Sequence, residues 1–319
     1  MRLPIRPFPS TLPKLLLRPR LYSTSPPLIT ITDIPAPSTG RIRILSLARP
    51  SARNAISRAL LQELRSSIDA IAAEYDAEGN EVPQKASYGG AAGVDGRGPT
   101  RALILASEVE SCFCAGADLK ERRGFTAEET QAFLLNLRTT FTALSLLPIP
   151  TISAISSLAL GGGLELALCT HFRVLASTAI VAMPETRLGI IPGAGGTYRL
   201  PALIGVARAR DMILTGRRVS AAEAYFLGLA DRLVDIEEGD VDGKGTGRRA
   251  QEGALGEAVR LAGDVCEGGP AAVRAALEAV GWAREEVENK MYERVMGTED
   301  RDEALRAFGE KRRPVFTGR

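Results

Sequence analysis

The spacing of apolar residues switches repeatedly between the period of a strand and that of a helix. Gly40-Arg-Ile-Arg-Ile-Leu-Ser-Leu47 alternates, which predicts an edge or half-buried strand. Ile56, Leu60, Leu61, Leu64, Ile68 and Ile71 then recur at helical spacing, and Asn54 stands where it could cap that helix. From about Ala77 to Gly98 the pattern dissolves into Gly, Ala, Ser and charge, which predicts a disordered surface insertion. The apolar run at 101–106 predicts a second strand, and 127–147 a long helix ended before Pro148. A buried strand at 150–156 and a buried helix from about 162 repeat the alternation. Short strands are expected at 172–176, 180–183 and 229–234, and helices at 206–215 and 220–227. A polar, Gly-rich loop at 237–253 precedes four helices at 255–266, 270–282, 284–296 and 299–308. The chain thus reads as a mixed α/β region followed by a helical C-terminal part, with no internal sequence repeat.

Composition narrows the class. The chain has 319 residues, 45% of them hydrophobic, enough for one large or two smaller globular cores. No apolar run reaches the roughly 18 residues of a membrane span. Cys112, Cys114, Cys169 and Cys266 form neither a disulfide framework nor a zinc pattern, and the single histidine, His171, argues further against a metal site. The first 25 residues stand apart: Arg2, Arg6, Lys14, Arg18 and Arg20 occur with Ser10, Thr11, Ser23, Thr24 and Ser25, and no acid precedes Asp33. That is the composition of a mitochondrial transit peptide, although the prolines at 4, 7, 9, 13 and 19 also suit a disordered basic tail. Without those five basic residues the formal charge falls from +2 to −3, which weighs against non-specific nucleic-acid binding.

The candidate chemistry gathers at Ser157-Leu-Ala-Leu-Gly-Gly-Gly-Leu-Glu-Leu-Ala-Leu-Cys169, a strand-to-helix junction. Three glycines there let a reacting group approach the backbone, and a helix start offers unpartnered N–H groups. Glu165 is the one charge in this stretch; alone it could equally serve its own helix terminus. The glycines at 193–196 do not fit G-x-G-x-x-G and lack a strand–Gly–helix context, which excludes a dinucleotide-binding reading.

Three segments in order resemble the crotonase (enoyl-CoA hydratase/isomerase) superfamily: Phe113-Cys-Ala-Gly-Ala-Asp-Leu-Lys120, Leu158-Ala-Leu-Gly-Gly-Gly-Leu-Glu-Leu-Ala167, and Pro184-Glu-Thr-Arg-Leu-Gly-Ile-Ile-Pro-Gly-Ala-Gly-Gly-Thr197. Within it, Ser107-Glu-Val, Cys114 to Arg122 and the tail from Asp300 to Arg312 are similar to the methylglutaconyl-CoA hydratase branch, which includes an AU-rich-RNA-binding homologue. The resemblance implies an α/β spiral of ββα units over 26–235 and a helical trimerisation region over 236–319. It implies that the backbone N–H groups of Ala117 and Gly162 form an oxyanion hole for an acyl-CoA thioester, where each donor is worth roughly 3–4 kcal/mol. Glu165 and Glu185 match the family's two catalytic glutamates, which hold one water and divide base and acid work. Asp118, Leu119, Lys120 and Gly161 match the CoA path, with Lys120 toward the nucleotide phosphates, and Gly193 matches a glycine facing the water. Phe308 and Lys311 match residues that close the CoA site, in some members from a neighbouring subunit, though a packing residue and a solvated charge fit them equally well.

The activity so implied is addition of water to an enoyl-CoA in the mitochondrial matrix: 3-methylglutaconyl-CoA to 3-hydroxy-3-methylglutaryl-CoA in leucine degradation, or, as alternatives, hydration of a short-chain 2-enoyl-CoA of fatty-acid oxidation or an RNA-binding role on a hydratase fold. No cofactor is implied beyond the CoA of the substrate, and the expected assembly is a homotrimer or a dimer of trimers. Arg53, Arg122 and Arg123 are candidates for a distal substrate carboxylate. Two departures stand out. His171 replaces a common aspartate, and residues 54–74 carry Arg58 and Arg65 against Glu63, Asp69 and Glu74 rather than a lysine-rich face, which puts RNA binding in doubt.

Overall fold

A strand that is apolar on both faces must be covered on both, and this requirement organises the chain. The computed structural model describes residues 26–82, 98–237 and 245–319; the expected leader at 1–25 and residues 83–97 of the expected insertion lie outside them. The chain begins with β1 (Ile29–Pro35), β2 (Arg41–Leu47), α1 (Arg58–Ala72), β3 (Thr100–Ser107), β4 (Cys112–Cys114), α2 (Leu119–Arg122) and α3 (Ala127–Ser145). It continues through β5 (Thr151–Ile155), β6 (Leu158–Leu160), α4 (Gly162–Ala167), β7 (Phe172–Ala176) and β8 (Ile180–Ala182). Then come α5 (Gly196–Ile204), α6 (Val206–Thr215), β9 (Arg218–Ser220), α7 (Ala221–Phe226) and β10 (Arg232–Val234). Four helices close it: α8 (Thr246–Cys266), α9 (Pro270–Trp282), α10 (Glu285–Met296) and α11 (Glu299–Glu310).

The strands form a six-stranded sheet in the order β1-β2-β3-β5-β7-β10 and a four-stranded sheet in the order β4-β6-β8-β9. Each of the successive pairs β3/β4, β5/β6 and β7/β8 gives one strand to each sheet. This is the crotonase spiral that the resemblance implies: the repeat exists in geometry although none is visible in sequence. Alternation along β3 shows how the large sheet is covered. Leu103 and Leu105 enter a core shared with α1, α3 and the small sheet, whereas Ala102, Ile104 and Ala106 enter a second core under α8.

The structure corrects several expectations. Helix α8 begins at Thr246 rather than 255, because Ala250, Ala254 and Ala258 recur every four residues and bury a narrow stripe against the sheet. Polar, Gly-rich sequence masks that stripe. The N-cap of α1 is Ser57, whose hydroxyl accepts from the Leu60 N–H; Asn54 is instead fully buried with φ of +56°. Residues 76–82, at the start of the expected disordered insertion, form a turn that Glu81 anchors to Arg101 and Arg274. Strands β1, β4, β6 and β9 have no counterpart in the hydrophobic pattern: β4, β6 and β9 have three residues each, too few for a period.

At the junction of β6 and α4 the backbones nearly touch. A Cβ on Gly163 would stand 2.1 Å from the Cys114 carbonyl oxygen. Gly163→Ala is expected to destabilise the protein by about 1–3 kcal/mol in urea unfolding despite the better helix propensity of alanine. An unchanged midpoint would show that α4 and β4 can separate at no cost.

Candidate active site

Residues at the ends of β4 and β6 and the start of α4 converge on a cleft of ≈ 560 Å³. Residues 53–56 align one wall. Ala115 N–H donates to Arg53 O, Ile56 N–H to Gly116 O, and Asp118 N–H to Ile56 O. In this parallel bridge Ile56 bonds the residues flanking Ala117, so the Ala117 N–H points away from it. The Gly162 N–H lies in the first turn of α4, where no intrahelical carbonyl can reach it. The two groups are neighbours: a Cβ on Gly162 would lie 3.5 Å from the Ala117 nitrogen. Asn54 holds this wall in place. Its side chain accepts from Arg49 N–H at 2.8 Å and donates to Ser107 Oγ at 2.8 Å and Phe113 O at 2.9 Å, which offsets its left-handed backbone.

Two carboxylates complete the cleft. Glu165 is 2% exposed, and its Oε1 accepts from the backbone N–H groups of Ala194 at 2.7 Å and Gly196 at 2.9 Å. Burial raises its pKa, and those amides, with Arg199, oppose the rise. Glu185 opens a single 3-10 turn, Glu185–Leu188, and its Oε1 lies over Gly161, where a Cβ would come within 2.7 Å. Its Oε2 is buried without a hydrogen-bond partner in the protein. Burial pushes the Glu185 carboxyl from 4.5 up to about 7, and the charge of Glu165 adds to the rise. The backbone N–H of Glu185 opposes that rise only in part, so the anion of Glu165, with two amides from the 194–196 loop, is the better supported of the two.

One of the two amides that support Glu165 belongs to a gripped peptide. The carbonyl of Gly193 accepts from Arg138 Nε at 2.7 Å, while the N–H on the other side of the same peptide group donates to Glu165. Arg199 Nη1 holds the next carbonyl, that of Ala194, at 2.9 Å. Neither arginine stands out in the sequence, where each reads as an ordinary solvated charge on a helix.

Other expected site residues divide. Ala117, Leu119, Gly161, Gly162 and Gly193 line the cleft with both glutamates. Asp118 does not: its carboxylate turns into the fold, pairing with Arg49 at 2.7 Å and capping α2 through the N–H groups of Lys120 and Glu121. Lys120 is exposed on α2 and does not line the cleft. Phe308 and Lys311 sit at the end of α11, away from the cleft of their own chain, with Phe308 85% exposed. His171 Nδ1 meets the Thr151 N–H at 3.1 Å, and burial pushes the ring down to about 4, so it is a neutral structural group. The thiols of Cys114 and Cys169 are buried and pushed up to about 12, which removes them as nucleophiles.

A two-sheet spiral carrying paired backbone donors and two buried carboxylates defines the crotonase class of acyl-CoA enzymes. Residues 95–319 match the enoyl-CoA hydratase/isomerase family, and the chain belongs to it. It is 66% identical, over 94% of its length and 90% of the relative's, to a mitochondrial methylglutaconyl-CoA hydratase of Pyricularia oryzae. It is 37% identical to the human mitochondrial enoyl-CoA hydratase domain-containing protein 2, over 91% of this chain and 90% of that protein. Among solved structures, an enoyl-CoA hydratase from Bacillus anthracis superposes with a TM-score of 0.74 at 38% identity, covering 91% of this chain and 99% of that one.

The burial cost of Glu185 should be visible in stability. Its native pKa lies above its ordinary 4.5, so between about pH 4.5 and 7 the native state holds a proton that the unfolded chain has released. Stability contributed by this group is then full below 4.5, falls as pH rises toward 7, and is flat above. Glu185→Gln is expected to exceed wild type in urea stability at pH 8 by up to about 3 kcal/mol, with no difference at pH 4. Equal stability at both pH values would contradict the assigned burial cost.

Proposed function

We propose that the chain hydrates a 2-enoyl-CoA thioester, and that its substrate is 3-methylglutaconyl-CoA, converted to 3-hydroxy-3-methylglutaryl-CoA. The observation that carries the hydratase reading is the unequal pair of buried glutamates in one cleft with two free backbone donors. The thioester carbonyl accepts from Ala117 and Gly162 N–H, which take up the negative charge that develops on that oxygen as water adds. Glu165, held as an anion by two amides, accepts a proton from the water as its oxygen bonds to C3. Glu185, poised to be protonated near neutrality, gives its proton to C2. The carbon–carbon double bond becomes single, one water is consumed, and proton exchange resets the pair. Neither electrons nor groups leave the site, so these steps call for no resident cofactor; CoA enters with the substrate.

The substrate assignment is supported by the 66% identity to a methylglutaconyl-CoA hydratase. A mitochondrial matrix location belongs to the same reading, supported by the basic first 25 residues and by relatives named as mitochondrial. So does a homotrimer or dimer of trimers, which would cover Val280, Trp282 and Phe308 on α9 and α11, each at least 60% exposed in the single chain. Arg58 and Arg65, the basic residues of α1, are paired with Glu129 and Asp69, so no RNA-binding role is proposed for that helix.

The test is a hydration assay of purified protein on 3-methylglutaconyl-CoA beside crotonyl-CoA. Turnover of the first is expected to dominate, and Glu165→Gln should slow it about 100-fold or more. Failure on both substrates would sink the hydratase reading, whereas a strong preference for crotonyl-CoA would overturn only the substrate.

A further inference from the structure

We propose that Arg122 and Arg138 form a subsite for a carboxylate at the far end of the acyl chain, which makes the cleft selective for dicarboxylic enoyl-CoA thioesters. The inference deepens the proposed hydratase function and rests on it for the placement of the acyl group. Both arginines line the cleft, from the end of α2 and from α3, and the wall around them is apolar: Leu134, Leu137, Leu188 and Ile191. Among the described residues neither guanidinium has an ion-pair partner. Arg122 lies over the Phe133 ring at 5.8 Å, and Arg138 uses only Nε, on the carbonyl of Gly193. The other carboxylates that line the cleft, Glu165 and Glu185, belong to the reacting centre. Two cations without an ion-pair partner, Arg122 half-buried and Arg138 exposed, add positive charge beside these apolar side chains that an uncharged acyl tail cannot use, whereas a terminal carboxylate can.

The placement of Arg138 fits that role. A single peptide group accepts from Arg138 on one side and donates to Glu165 on the other. Peptide and hydrogen-bond dimensions put the guanidinium roughly 7 Å from the Glu165 carboxylate. In 3-methylglutaconyl-CoA the free carboxylate is two carbons beyond C3, the atom that receives the water held by Glu165. A chain of that length reaches past the water toward Arg138, and a planar guanidinium with free Nη donors can meet a carboxylate side-on. The same bond to Gly193 fixes the guanidinium before substrate arrives, which lowers the entropic cost of capture.

Binding separates this role from the others open to these arginines. Glutaryl-CoA and butyryl-CoA have no double bond to hydrate and differ chiefly in the terminal carboxylate. Titration calorimetry on the full-length protein is expected to show glutaryl-CoA bound at least about 10-fold more tightly, with that ratio collapsing toward one in Arg122→Met and Arg138→Met and partly restored in Arg138→Lys. The kcat/KM ratio of 3-methylglutaconyl-CoA to crotonyl-CoA should fall in parallel. Equal weakening of both ligands would assign the arginines to the CoA phosphates, and an unchanged ratio would reduce Arg138 to a support of the Gly193 loop and Arg122 to a cation packed on Phe133; either result overturns the proposal. A wild-type protein that prefers glutaryl-CoA but hydrates neither enoyl-CoA would leave the subsite standing and remove the hydratase reading instead.

Discussion

Two hydrogen bonds, from the Ala194 and Gly196 amides to one oxygen of Glu165, are what the rest of the site depends on. A carboxylate buried to this degree cannot stay ionised without such support. Its neighbour Glu185 receives none at Oε2 and is pushed up to about 7. The fold thereby separates two chemically identical groups by where it places backbone donors. Addition of water needs such a separation, because one group must take a proton while the other gives one.

The loop that supplies these donors is itself held from two sides, by Arg138 at the Gly193 carbonyl and Arg199 at the Ala194 carbonyl. The glycines opposite serve close approach. Gly161 leaves room for the Glu185 carboxylate, and Gly163 lets α4 sit against β4, so that the first turn of α4 arrives beside Ala117. The spiral makes this possible: because each turn contributes to both sheets, the ends of β4 and β6 fall side by side although more than 40 residues separate them. Strain at Asn54 is tolerated for the same end, since its side chain ties 49–54 to 107–113 behind the wall that carries Ala117.

Much of this arrangement is legible in the amino-acid sequence. Long periodic segments predict α1, α3, α6, α9 and α10 to within a few residues, and motif order points to the two glutamates and the two backbone donors that the fold brings together. What the sequence hides is either too short or too non-local. Three-residue strands carry no period, and the alanine stripe of α8 looks like a loop when glycine and charge surround it. Asp118 matches a motif yet turns inward, because a motif records residue type and not side-chain direction. Arg138 and Arg199 cannot be read at all: their partners are carbonyls of a loop 55 and 5 residues away, contacts that exist only after folding.

Burial and hydrogen bonding set the two glutamates apart, and the titration of each group tests this most directly. Infrared difference spectra of the free protein between pH 4 and 9, with the bands assigned by Glu165→Gln and Glu185→Gln, would follow each carboxyl. A protonated carboxyl band that belongs to Glu185 and disappears with a midpoint near 7 is the predicted result. A Glu185 carboxyl that titrates at its ordinary 4.5 would contradict the separation of the pair.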